Sequence, residues 1–252
     1  MDNETLRLID RHASVREYLD KPVEDAVLDK ILKAACNGST MGNMQLFSII
    51  VTRDRGMKEK MAPFHFNQPM ATAAPVILTF CADFHRFNRY CECRNANSQA
   101  YSNMQAYHWA TADAMIAAQN ACVAAESLGL GICWLGTIIF NAHEFVKALE
   151  LPKHVVPVAC IAMGYPAAKP EPAAKLNFSD LVHCETYKDY SDERIEDVYR
   201  DKEQSAETTR VLAENPDLEN VAQVITQRRY KQDDNEYFSD ILMKTLKDQG
   251  FV

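Results

Sequence analysis

Residues 103–128 form an alanine-rich stretch that ends in AMIAAQNACVAAESL and has small residues on every face. A helix that is apolar nearly all round belongs at the centre of a packed domain. The short apolar segments around it supply the layers such a helix needs. Residues 45–52 (QLFSIIVT) are rich in β-formers and end at the turn signal Asp54-Arg55-Gly56. Residues 76–81, 132–135 and 155–163 read as further buried strands. A helix is expected over Glu4–Asp10. A second follows Pro22, where Val27, Leu28, Ile31, Leu32 and Ala35 recur at helical spacing until Asn37-Gly38. Asn141-Ala-His-Glu144 reads as a capping box for a helix to Leu149, and Leu181-Val182 as one more strand. Strands and helices alternate without internal repeats, which gives an α+β class: an α/β-type mixed sheet flanked by helices.

The 252 residues include 27 basic and 35 acidic side chains, a formal net charge of −8. That balance lacks the basic footprint of a general nucleic-acid binder. No apolar run approaches the ~20 residues of a membrane span, and MDNETLRLID does not have the form of a signal peptide, so a cytoplasmic protein without a membrane partner is expected. The charge is unevenly spread: residues 1–184 hold 18 acidic and 17 basic side chains, whereas 185–252 hold 17 and 10. The expected organisation is a packed core over 1–184 and a charged helical arm or lid over 185–252. Helices are expected near 191–202 and 237–249, with a loose stretch between them. Arg228, Arg229 and Lys231 make the one dense basic cluster of that tail. The eight cysteines include no CxxC pair, and Cys91-Glu92-Cys93 is too tight for a structural zinc knuckle, so no metal site is expected and free thiols are.

Familiar catalytic motifs are missing. Gly129-x-Gly131 is followed by Gly136, two residues too late for a dinucleotide-binding GxGxxG. There is no phosphate-binding GxxxxGK[ST], no second histidine after His143-Glu144 to make a zinc-protease helix, and no GxSxG elbow. An enzyme built this way relies on a bound cofactor, and no side chain is assigned as catalytic. Two segments stand out. His12-x-Ser14-x-Arg16 places a hydroxyl and two potentially cationic groups at alternate positions, which in extended chain point the same way and suit a phosphate. Residues 39–45 form a polar, glycine-containing loop directly before a buried strand. Taken alone, the first is better explained as a solvated loop and the second as a helix C-cap with a turn.

Together they resemble the FMN-dependent nitroreductase family, most closely its NADPH-preferring branch of oxygen-insensitive nitroreductases and flavin reductases. The similarity covers about residues 5–185. RHASVREY resembles the family's flavin-phosphate motif, and GSTMGNMQLFSIIVTRD the loop and strand that cup the isoalloxazine. FCADFHR, AAQNACVAAESLGLGICWLG and IAMGYPAAKPEPAAKL then follow in the family's order. The resemblance implies that His12, Ala13, Ser14 and Arg16 hold the FMN phosphate and ribityl chain. Thr40, Met41, Gly42 and Asn43 would approach the flavin from the partner subunit, and Gln68 would reach the flavin edge. Trp134, Leu135 and Gly136 would lie beside the cofactor, and Lys175 would replace a phosphate-binding arginine. Ala173 and Ala13 stand where relatives carry basic residues, which predicts a weaker phosphate clamp.

The resemblance also implies a nitroreductase-like fold, built as an intertwined homodimer with FMN at the interface and the long helix as a main contact. The implied activity is ping-pong reduction of a small-molecule electron acceptor (nitroaromatic, quinone or flavin) by NADPH or NADH. The carboxy-terminal basic cluster would help select the donor. A specialised member, such as a dehalogenase or a flavin-destroying enzyme, and a flavin-binding protein without turnover are the alternatives.

Overall fold

In the computed structural model, which describes residues 3–169 and 171–252, four strands form one sheet. These are β1 (Phe47–Thr52), β2 (Val76–Asp83), β3 (Gly131–Trp134) and β4 (Val155–Gly164), in the order β1-β2-β4-β3. Met1 and Asp2 of the opening segment, and Pro170 of the IAMGYPAAKPEPAAKL segment, lie outside the described residues. The helices before the second strand are α1 (Glu4–Asp10), α2 (Asp25–Cys36), α3 (Arg55–Met61) and α4 (Met70–Ala73). Then come α5 (His85–Cys93), α6 (Met104–Ser127), α7 (Ala142–Ala148) and α8 (Phe178–Leu181). The tail carries α9 (Asp192–Glu203), α10 (Ala206–Ala213), α11 (Val221–Val224) and α12 (Gln232–Gln249). Two compact units result: Met1–Pro172 with Phe238–Val252, and Ala173–Tyr237.

The central strands β2 and β4 are buried along their whole length, which is why their sequences read as unbroken apolar runs rather than alternating ones. Helix α6 packs against α2, β2 and β4. Its buried stripe, Ala106, Ala110, Ala114, Ala117, Ala121 and Ala125, has methyl side chains that let the helix approach its neighbours closely. Asn103 caps its start by accepting a hydrogen bond from the Ala106 amide (3.0 Å). The helix is not buried all round within one chain, however: Met115 and Ile116 on its other face are 42% and 41% exposed.

Several expectations need correction. All four strands pair antiparallel; the only parallel pairing among the described residues is an isolated bridge between Ser14 and Ile132. Asn141 does not form a capping box, because its side-chain amide donates instead to the Phe64 carbonyl (2.9 Å). Leu181 closes a short helix rather than entering a strand. The stretch expected to be loose is helical: α10 and α11 start at Ser205 and Asn220, whose side chains accept from the Thr208 and Gln223 amides, and a π-helical turn spans Ile225–Arg229. Helices α3 and α5 were not expected at all. Among the described residues, no helix is long and apolar enough to cross a membrane.

Candidate functional site

The segment after α1 lies extended beside β3. The Val15 amide donates to the Ile132 carbonyl (2.8 Å). The Tyr18 hydroxyl donates to the carbonyls of Val15 (2.7 Å) and Ala162 (3.2 Å), and burial pushes that phenol's pKa up. Gly131 permits the close approach, since a Cβ there would lie 2.3 Å from Val15 Cγ2. Side chains along the segment alternate: Ala13 and Val15 are buried, Ser14 and Arg16 exposed, His12 partly so. His12, Ser14 and Arg16 therefore share the outer side, and Ala13 faces the core. His12 Nδ1 sits 2.6 Å from Oε1 of Glu126, in the last turn of α6, which fixes the imidazole. Among the described residues the Arg16 guanidinium has neither a hydrogen bond nor an ion pair. A hydroxyl and an unpaired guanidinium on one side of an extended strand suit a phosphate-type anion.

The loop before β1 contains a 3-10 turn at Met41–Asn43 and three residues at positive φ: Gly42 (54°), Asn43 (56°) and Gln45 (49°). Glycine adopts this conformation freely, but at Asn43 and Gln45 it must be held. Asp113 does much of the holding. It is 2% exposed on α6, and its two carboxylate oxygens accept from the Met41 amide (2.8 Å) and the Leu46 amide (3.0 Å). Arg86 adds hydrogen bonds to the carbonyls of Gln45 and Phe47. Thr40 is half-buried, and Met41, Gly42 and Asn43 are exposed. The sequence does carry a signal for Asp113: it is the one acid in α6 before the last turn, and a lone acid in an alanine stripe demands partners. His12 and the loop are thus both tied to α6, through Glu126 and Asp113, and these anchors are separated by about 20 Å at 1.5 Å rise per residue.

At the end of β3, Trp134 is half-buried and Leu135 buried, its amide donating to the Cys160 carbonyl (2.8 Å). Gly136 is exposed, with open space where a Cβ would stand, and begins a 3-10 turn to Ile138. Gln68 is half-buried and follows two left-handed residues, Phe66 and Asn67. Sequence reasoning missed the link between these segments, a buried contact of His65 Nδ1 with Thr137 Oγ1 (2.8 Å). The Ser14–Ile132 bridge brings residues 12–16 next to the strand that carries Trp134. Lys175 belongs to the second compact unit, where it is exposed and makes no ion pair among the described residues. In that unit Arg228 is paired with Asp217, while Arg229 and Lys231 are exposed.

The sequence profile of the Nitroreductase family matches residues 9–165, a span that includes every site segment above except Lys175 and the tail cations Arg228, Arg229 and Lys231. The chain belongs to the nitroreductase family. Among relatives of the family, FMN reductase (NAD(P)H) of Bacillus subtilis strain 168 is 34% identical over 186 residues, 73% of this chain and 75% of that protein. The oxygen-insensitive NADPH nitroreductase of Salmonella typhimurium LT2 is 34% identical over 183 residues, covering 73% and 74% of the two chains. A solved structure from Bacteroides fragilis NCTC 9343 matches with a TM-score of 0.95 at 41% identity, over 98% of this chain and 99% of that one. The α+β nitroreductase fold expected from the sequence is therefore the fold observed.

Proposed function

We propose that this protein is a cytoplasmic FMN-dependent NAD(P)H oxidoreductase that reduces nitroaromatics, quinones or flavins by a ping-pong mechanism. The observation that carries the reading is the unpaired Arg16 beside Ser14 and His12, on the outer side of a segment laid against β3. When bound, FMN supplies the hydride chemistry between the nicotinamide and the acceptor; the protein contributes binding and orientation.

His12, Ser14 and Arg16 hold the phosphate and ribityl chain, with Glu126 fixing the histidine ring. Ala13 takes part through its backbone, since its side chain faces the core. Gln68, Trp134, Leu135 and Gly136 border the flavin ring, the open space at Gly136 leaving its backbone approachable. Lys175 is a further phosphate cation, and Ala173 beside it leaves that role to one side chain. Thr40, Met41, Gly42 and Asn43 serve the FMN of a second copy, a reading favoured by the ~20 Å between their anchor on α6 and that of His12. Exposed Met41, Met115 and Ile116 give that second copy an apolar surface to cover, consistent with a homodimer. Met1–Pro172 with Phe238–Val252 act as the FMN-binding core, in place of the expected 1–184, and in the tail ahead of Phe238 the exposed Arg229 and Lys231 are the cations that select NADPH over NADH.

Steady-state oxidation of NADPH and of NADH with menadione or a nitrofuran tests this. The expected result is parallel double-reciprocal lines as both substrates are varied, with a higher kcat/KM for NADPH. Intersecting lines would contradict the ping-pong scheme, and a flavin-loaded protein without turnover would select the binding-protein alternative.

A further inference from the structure

The segment carrying Gln68 and the turn carrying Gly136 are linked by one buried polar contact, with a part-buried one beside it. His65 is 2% exposed, and its Nδ1 lies 2.8 Å from Thr137 Oγ1, one residue after Gly136. Asn141 donates its side-chain amide to the Phe64 carbonyl (2.9 Å), and the Gln68 amide donates to the His65 carbonyl (3.1 Å). Between His65 and Gln68 stand two consecutive non-glycine residues in the left-handed region, Phe66 (φ 53°) and Asn67 (φ 54°). Such residues are strained and persist only where their surroundings over-determine them.

The imidazole is suited to the task. Burial lowers its pKa to about 4, so near neutral pH it is uncharged, with one nitrogen donating and the other accepting. Cys160 Sγ lies 3.8 Å from Nε2, and burial pushes that thiol up to about 12, so it keeps its proton and is able to donate to Nε2. With the thiol donating to Nε2, Nδ1 carries the ring proton and donates to Thr137; in the other tautomer the Thr137 hydroxyl donates to Nδ1, so the contact forms in both. The Phe145 ring, 4.7 Å away, packs against the imidazole.

We propose that His65 is a positioning residue: through Thr137 it sets the separation between Gln68 and the backbone of Gly136, and hence the fit of the flavin ring between them. This rests on the reading that both segments border the flavin. The contact is best cut at Thr137, because Thr137→Val removes the hydroxyl at nearly constant volume, whereas replacing His65 opens a cavity. The holoprotein and apoprotein of Thr137→Val, Thr137→Ser and Gln68→Ala are compared by FMN titration, by the visible spectrum of the bound flavin and by apoprotein melting.

Thr137→Val is expected to raise the FMN dissociation constant about fivefold, the worth of one hydrogen bond, and to shift the flavin absorption bands. Thr137→Ser should restore both, while Gln68→Ala should disturb both. Native affinity and spectrum in Thr137→Val, with Gln68→Ala altered, would overturn the positioning role and leave the site reading intact. An unaltered Gln68→Ala would overturn the two together. Loss of melting temperature in Thr137→Val without a spectral shift would reduce the contact to a structural one and refute the proposal.

Discussion

Replacing Asp113 with alanine is expected to lower the melting temperature by roughly 6–12 °C. Its carboxylate accepts hydrogen bonds from the Met41 and Leu46 amides at 2.8 and 3.0 Å, and the second of these lies in the core. Hydrogen bonds to charged groups are worth about 1.5–3 kcal/mol each, and an amide left buried without a partner bears its full desolvation cost. Removing a carboxylate that is only 2% exposed returns part of this, so a net loss of about 3 kcal/mol is expected. A chain of this size loses about 2–4 °C per kcal/mol. Asp113→Asn keeps one acceptor oxygen and should lose about half as much. Calorimetry on the three proteins checks the order; equal melting temperatures would mean that the loop before β1 does not hang from α6. Because Asn43 and Gln45 sit at positive φ in that loop, Asp113→Ala should also release them to ordinary backbone conformations.

The second large effect concerns affinity. Arg16→Ala should weaken FMN binding by about 10- to 100-fold, the consequence of losing charge-assisted hydrogen bonds worth about 1.5–3 kcal/mol. The guanidinium is exposed and has no partner of its own among the described residues, so its removal leaves no orphaned acid and the native fold is retained. Lys175→Ala should act in the same direction, with Ala173 unable to compensate. Arg89→Ala is the control, since Arg89 is an exposed residue paired with Glu92 on α5. Fluorescence titration of the apoproteins separates them. Equal affinity in the Arg16 and Lys175 variants and in the control would remove the phosphate assignment.

What could be read in the sequence was local and periodic. The alternation at His12, Ser14 and Arg16 follows from the geometry of extended chain, and the buried strands announced themselves as apolar runs. The alanine stripe gave α6, although the sequence could not show that Met115 and Ile116 stay uncovered within one chain.

What could not be read depends on partners far apart in the chain. Asp113 acts on residues 67 and 72 positions away, Glu126 on a histidine 114 positions away, and Thr137 on a histidine 72 positions away. Asn141 carried a proper local capping signal, but a tertiary partner, the Phe64 carbonyl, took its side chain. The helices between α9 and α12 were hidden for a different reason. Helix α11 buries a single residue, Val224, and α10 buries only Thr208 and Val211, so neither shows an apolar stripe for periodicity to find.

The most direct test of the account is the visible absorption spectrum of the purified protein, followed by chromatography of whatever pigment is released on denaturation. The proposed site around His12, Ser14 and Arg16 would offer one phosphate cradle and the chain has no dinucleotide-binding glycine motif, so the spectrum should be that of an oxidised flavin and the released pigment should be FMN rather than FAD. A colourless protein that takes up no added FMN would contradict the account at its centre.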